Sequence, residues 1–336
     1  MDISRESLLK ESEQMGFRPE ILEKVWRLMG VLEEINIHPL LRNRLVLKGG
    51  TALNLFVLDL PRLSVDIDLN YIGAQDRETM MKERPQIEKA LETVFERQKL
   101  IVRRIPDKHA GGKWRLQYNS SLAQQGTLEV DLNFMFRIPL WDVQRHISKS
   151  AGTRKIGEIL ILDVHELAAG KFTALFARHA ARDLFDAHHL LTTVPFDPSR
   201  LRLAFVLYVG MSSMDWRTIS SENLSYDGQE FHNQLLPVSS QKNLFLQRDA
   251  QKWADRMIQE CRQKFQLLLP FSEHEKEFLH SLSENGEIRA SLLTNDSAMK
   301  TKIEHLPLLK WRAQLALKNK GIESISPATQ PLRESS

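Results

Sequence analysis

The chain has 336 residues, 42% hydrophobic and 26% charged, ordinary proportions for a globular protein and a length that allows two domains. A formal net charge of +3 permits an acidic partner without announcing one, and the single cysteine, Cys261, excludes an internal disulfide. No apolar run approaches the length of a bilayer span, and the opening MDISRESLLKESEQ lacks the apolar centre of a secretory signal, so a cytoplasmic protein without membrane contact is expected.

After a polar lead-in, Pro19 opens an amphipathic helix with Ile21, Leu22, Val25, Leu28, Met29, Leu32 and Ile35 as its apolar stripe, a scaffold helix without chemistry of its own. The rest of the chain is organised around the stretch VLKGGTALNLFVLDLPRLSVDIDLNY, Val46 to Tyr71. It reads as a strand ending in Lys48, a Gly49-Gly50 turn, a short helix from Thr51 to about Leu58, and a second strand. In that strand Val65, Ile67 and Leu69 face one way and Asp66, Asp68 and Asn70 the other. Asp is depleted in strands, so two on one face need a reason. A hard cation such as Mg²⁺ supplies one, since it binds through one or two carboxylates together with substrate phosphates. A glycine turn leading into a helix offers backbone N–H groups to a phosphate. A phosphate cradle followed by an Asp-x-Asp strand suits nucleotidyl transfer.

From Asp76 to Gln98 the apolar residues Ile87, Leu91, Val94 and Phe95 fall at helical spacing, with Pro85 expected to divide the segment near its beginning. Strands are expected over Leu100–Ile105, Lys113–Tyr118 and Thr127–Phe134. The third repeats the earlier alternation, with Leu128, Val130, Leu132 and Phe134 opposite Glu129, Asp131 and Asn133. Beside the Asp66/Asp68 strand it would add Asp131 as a third carboxylate, and such a set can hold metals for in-line displacement at phosphorus. Arg103, Arg104, Lys108, Lys113 and Arg115 form a basic run that suits either a phosphate backbone or a solvated face.

From Asp163 onward the pattern is helical, giving an α+β chain. Lys171, Arg178 and Arg182 share a face if the first helix is continuous, a grouping suited to a triphosphate. Asp183 and Asp186 lie three apart, and Arg182 with Asp186 has the spacing of a surface ion pair. His188 and His189 are adjacent and so point apart, which argues against a metal site. An apolar element comes next over Leu201–Val209, then a long loop over residues 211–245. Ala250, Trp253, Ala254, Met257, Ile258, Cys261 and Phe265 mark a further helix that buries Cys261 as a small hydrophobe. Ser272-Glu273-His274-Glu275 is a capping box, the last helix begins at Leu306-Pro307, and a disordered tail is expected from about Ser324.

Taken together, these motifs resemble the AbiEii/MenT family of toxin nucleotidyltransferases. The family's opening motif is matched by Lys48-Gly49-Gly50-Thr51 and by Arg62-Leu63-Ser64-Val65-Asp66-Ile67-Asp68. Its helical motif is matched by Glu166 through Lys171 and by Arg182-Asp183-Leu184-Phe185-Asp186, and its C-terminal pattern by Glu275–Leu279, Gly286–Ile288, His305–Pro307 and Trp311. The resemblance implies a DNA-polymerase-β-like core with a small mixed sheet over residues 1–160, a mostly helical domain over 161–323 and a tail over 324–336. It also implies Mg²⁺ dependence, a nucleoside triphosphate donor, a cognate antitoxin and, as in some relatives, the 3′ end of tRNA as acceptor.

The resulting reading places Asp66, Asp68 and Asp131 as metal ligands. Asp131 is also an acceptor for the hydroxyl proton, Lys171 serves the triphosphate, and Asp183 positions Lys171 or the acceptor. Lys48, Gly49, Gly50, Thr51, Ser64 and Arg182 bind the nucleotide. The rival readings are transfer to a protein or small molecule, phosphodiester hydrolysis, and a non-catalytic RNA- or partner-binding protein. Hydrolysis would leave a triphosphate-binding lysine without a purpose.

Overall fold

The computed structural model describes residues 3–104, 111–122, 125–242 and 249–321. Lys108 of the basic run and the expected tail lie outside them. Seven strands form one mixed sheet: β1 (Leu45–Lys48), β2 (Asp66–Tyr71), β3 (Ile101–Arg104), β4 (Gly111–Asn119), β5 (Gln125–Asn133), β6 (Gln144–His146) and β7 (Ile159–Ile161), in the order β3-β4-β5-β2-β1-β7-β6. β2 runs parallel to β5 and β1 to β7, and the remaining pairs are antiparallel.

The alternation in β2 and β5 separates the two faces of the sheet. Ile67, Leu69, Leu128, Val130, Leu132, Trp114 and Leu116 are buried. Their face is covered by α2 (Pro19–Ile37) and α4 (Arg77–Arg97): Phe95 packs edge-on to Trp114 at 5.9 Å, and the Arg27 guanidinium lies 4.3 Å above the Tyr118 ring. The polar face turns towards α3 (Gly49–Ala52), α5 (Val164–Arg178), α6 (Ala181–Thr193) and α7 (Pro198–Met211). Phe172, Phe205 and Phe265 join α5 and α7 to α8 (Ala250–Phe265), with Phe172 and Phe265 edge to face at 5.1 Å. Cys261 is buried there, and burial pushes its thiol up to about 12, as befits a packing residue. The chain continues through α9 (Glu273–His280), opened by the Ser272/Glu275 capping box, to α10 (Ser297–His305) and α11 (Pro307–Asn319).

The structure departs from the sequence reading in several places. The polar lead-in forms α1 (Arg5–Met15), capped by Ser4 and closed by Gly16 at φ +75°. Pro85 does not divide α4. It lacks one amide hydrogen bond, but Met80, Ile87, Leu91, Val94 and Phe95 are buried against the sheet, and this packing outweighs the roughly 3 kcal/mol penalty of an internal proline. The apolar Leu201–Val209 element, given no secondary structure from sequence, lies within helix α7. Residues 211–242 are not one irregular loop but a chain of short helical turns, capped by Asp215, Ser220 and Asp227. Strands β6 and β7, three residues each, are too short for a periodic signal. Among the described residues no helix is long and apolar enough to cross a membrane.

Candidate active site

Strand register sets the centre of the site. Asp68 of β2 stands opposite Asp131 of β5, Lys48 of β1 opposite Asp68, and Lys113 of β4 opposite Asp131. One row across four strands therefore reads Lys113, Asp131, Asp68, Lys48, two carboxylates flanked by two ammonium groups. Neighbouring strands lie about 4.8 Å apart, so Asp68 and Asp131 project side by side. In the next row Asp66 stands opposite Glu129, and Glu129 opposite Arg115. Glu129 is held by Lys113 at 2.9 Å and Arg115 at 3.0 Å, which occupies two members of the basic run beside the carboxylates.

The charges on this face act on one another. Burial, then the charge of Asp68, pushes the Asp66 carboxyl up, against the pull of Lys24 and Arg182. Asp131 is pushed up by burial and by Asp68, against Lys48 and Lys113. A like-charged group of oxygen donors that raise each other's proton affinity is also a group that a divalent cation relieves. Among the described residues no three acidic or histidine side chains form a preassembled metal cluster. What the fold supplies is the adjacent pair Asp68 and Asp131, with Asp66 one pleat along the same face, and hard oxygen donors of this kind fit Mg²⁺.

The Gly-Gly turn is pressed against the carboxylates. Gly49 adopts φ +70°, and a Cβ there would lie 2.1 Å from Asp68 Oδ2. A Cβ on Gly50 would lie 2.8 Å from Ser64 Oγ and 3.2 Å from a guanidinium nitrogen of Arg62. α3 begins at this turn, so the first-turn N–H groups lack intrahelical acceptors, as at any helix start. The Thr51 hydroxyl donates to the Asp66 carbonyl and ties the turn to β2, leaving its backbone N–H as the group available to a phosphate.

Behind the turn lies a buried charged network. Arg62 grips Asp186 with two hydrogen bonds, Nε to Oδ1 at 2.8 Å and Nη2 to Oδ2 at 2.6 Å. Lys171 Nζ lies 3.0 Å from Asp186 Oδ2 and 2.7 Å from Asp183 Oδ1, and Arg178 reaches Asp183 Oδ2 at 2.7 Å. Asn54 Nδ2 donates to the Gly50 carbonyl at 2.9 Å and to Asp186 Oδ1 at 3.3 Å, linking the network to the turn. Burial alone would raise Asp186 and Asp183. Arg62 and Lys171 overcome it at Asp186, and Lys171 and Arg178 at Asp183, so both are held below the usual carboxylate range. Lys171 is raised in turn, because Asp186 and Asp183 outweigh its burial.

This arrangement corrects two expectations. α5 and α6 are separate helices, broken at His179 (φ +54°), so Lys171, Arg178 and Arg182 do not line one continuous face. Asp186 pairs with Arg62 and Lys171 and not with Arg182, which makes no hydrogen bond or ion pair with a described residue and lies within electrostatic reach of Asp66. His188 bonds Glu260 at 2.6 Å and His189 bonds the Phe185 carbonyl at 2.9 Å.

The sequence reading quoted Arg62 and Asp186 within motifs but gave neither a place in the site, and it passed over Asn54. Arg62 and Asp186 lie 124 positions apart, and only the fold shows that they meet. The segment after α7 also acquires a purpose. Leu63 N–H donates to the Val238 carbonyl at 2.8 Å, Arg62 bridges to Ser239, and Glu230 accepts from the Ala181 N–H at the start of α6.

The nucleotidyl transferase AbiEii toxin family, a type IV toxin–antitoxin system, matches residues 30–268. The chain belongs to this AbiEii family. No curated protein sequence matches it significantly. Among solved structures it is similar to MenT4, the nucleotidyltransferase toxin Rv2826c from Mycobacterium tuberculosis H37Rv, with a TM-score of 0.53 and 15% identity over 94% of this chain and 99% of that one. At that identity the likeness is one of fold, the α+β nucleotidyltransferase architecture of MenT proteins. As an AbiEii member the chain is a nucleotidyltransferase toxin, an enzyme whose family implies a nucleoside triphosphate substrate and an antitoxin partner.

Proposed function

We propose that this AbiEii protein transfers a nucleotidyl group from a nucleoside triphosphate to an acceptor hydroxyl at the 3′ end of tRNA, with Mg²⁺ as cofactor. The observation that carries the chemistry is the row Lys113, Asp131, Asp68, Lys48 pressed against the Gly49-Gly50 turn. Asp66, Asp68 and Asp131 would hold the cation, which when bound neutralises charge developing on the triphosphate oxygens. Asp131, its proton affinity raised by burial and by Asp68, is suited to accept the proton of the attacking hydroxyl. The backbone N–H groups of Gly50 and Thr51 receive phosphate oxygens, and Ser64 stands against Gly50 to fix the cradle.

Lys48 and Arg182 are cations without a described partner, Lys48 beside Asp68 and Arg182 near Asp66, and they draw the triphosphate onto this face. Lys171 stabilises the charge that grows on the phosphates, held in place by Asp183 and Asp186 in a network of three cations and two carboxylates. Transfer then forms the bond from acceptor oxygen to α-phosphorus and releases pyrophosphate.

The tRNA acceptor rests on the family resemblance, supported by the exposed Arg103, Lys113 and Arg115 near Asp131, whose three positive charges Glu129 only partly neutralises. Incubating the protein with each α-labelled nucleoside triphosphate, Mg²⁺ and total tRNA tests it. Label from one nucleotide is expected at tRNA 3′ ends. Label confined to protein would remove tRNA as acceptor and keep the metal-site chemistry.

A further inference from the structure

A second polar group of the fold lies on the same sheet face, beyond Asp68. Asn70, two residues along β2, is 1% exposed, and its Oδ1 has no hydrogen-bond partner among the described residues. It lines a cavity of about 10 Å³ together with Phe136, Leu140, Glu166 and Tyr208. That volume admits one water molecule and nothing larger, and a buried water needs two to four polar partners.

Glu166 is 3% exposed, on the helix that carries Lys171. Its Oε2 accepts from the Leu140 N–H at 2.9 Å and the Trp141 N–H at 3.4 Å, and its Oε1 has only the Tyr208 hydroxyl, at 3.4 Å. No cation pairs with it among the described residues. Asp163 bears on it from the start of α5 with negative charge of its own, which is engaged by His165 and Arg200. From α10, Lys302 spends its ammonium group on the Leu140 carbonyl at 2.8 Å. From α7 comes Tyr208, itself neutral because burial and Glu166 push its hydroxyl well above the usual range. A carboxylate here would be a buried charge unmatched by any cation, costly unless neutralised. Burial pushes Glu166 up to about 7, against the help of the two backbone N–H groups.

We propose that Glu166 is a neutral carboxylic acid in the folded protein and donates from Oε1 to a single water, which passes a hydrogen bond to Asn70 Oδ1. The water then has three partners, Glu166, Asn70 and Tyr208. Glu166 is a positioning residue: through this bridge the helix bearing Lys171 is tied to the strand bearing Asp68. Its bearing on catalysis rests on the reaction proposed above, but the bridge itself is measurable without substrate.

A neutral folded-state acid binds a proton that the unfolded chain releases near pH 4.5, so its stabilisation is complete at lower pH and is lost as pH rises through about 7. Glu166→Gln keeps the shape and a donor without the titration. Chemical denaturation of both proteins is expected to show the wild-type folding equilibrium falling, relative to Glu166→Gln, by on the order of a hundredfold between pH 5 and 8. Infrared difference spectroscopy of the wild type supplies a second reading, should Glu166→Gln not fold. A carboxylic-acid carbonyl band is expected at pH 6, fading as pH passes 7, and shifted in Asn70→Leu. A constant stability ratio across this range, or no such band at pH 6, overturns the proposal and leaves the nucleotidyl-transfer reading untouched.

Discussion

The chemistry proposed for this protein is concentrated in a few side chains whose positions leave little freedom. At Gly49 a side chain faces two obstacles, a left-handed backbone and a carboxylate oxygen 2.1 Å from where its Cβ would sit. Gly49→Ala is expected to cost about 1–2 kcal/mol from the backbone alone and to displace Asp68. Denaturation midpoints and transfer assays on the variant check both effects. Asp131→Asn keeps the size of the side chain while removing the proposed cation ligand and proton acceptor, so transfer is expected to fall by on the order of a hundredfold or more with the fold intact. Initial rates alongside far-ultraviolet circular dichroism separate these outcomes. The candidacy of Asp66, Asp68 and Asp131 was legible before any fold was known, because carboxylates on alternating strands defy strand propensity, and the register brings them onto one face. Arg62, Asn54 and Asp186 were not legible in the same way. A buried ion pair leaves no periodic trace, and its partners are chosen by the fold.

At the scale of elements, the sequence revealed what has a period. β2, β4 and β5 and the helices α2 and α8 carry their spacing openly, and their observed limits lie within a few residues of the expected ones. It misled where tertiary packing overrides local preference. Pro85 sits within α4, and two residues, the left-handed His179 and the extended Ala180, divide α5 from α6. That break brings Asp183 within reach of both Lys171 and Arg178. His179→Gly relieves the left-handed backbone and is expected to stabilise the protein by up to about 1 kcal/mol, read as a raised melting temperature. The cross-element pair Arg62–Asp186 should behave oppositely. Removing the carboxylate, as in Asp186→Leu, leaves the buried Arg62 guanidinium without a counter-charge and is expected to cost about 3–5 kcal/mol, whereas Asp186→Leu with Arg62→Met recovers much of it, since Lys171 keeps Asp183. Denaturant titration of the two single variants and the double variant completes that cycle.

For the whole molecule, two buried acidic systems set opposite responses to pH. Asp183 and Asp186 are held low by their cations, so their contribution is present above the ordinary carboxylate range near pH 4 and disappears as pH falls below it. Glu166 is raised, and its contribution disappears as pH climbs through about 7. Stability is therefore expected to be greatest in the mildly acidic region, with the acid limb flattened in Asp186→Asn; denaturation midpoints from pH 3 to 9 test this. The same two systems join the sheet to the helices, one through the Gly-Gly turn and one through Asn70, so the carboxylate row and Lys171 are held by contacts on both sides. The measurement that bears most directly on this account is Mg²⁺-dependent release of pyrophosphate from nucleoside triphosphate in the presence of tRNA. It should compare the wild type with Asp68→Ala and Lys171→Ala, each first shown to be folded. The account predicts release by the wild type and its loss in both variants; undiminished release by folded Asp68→Ala would contradict it.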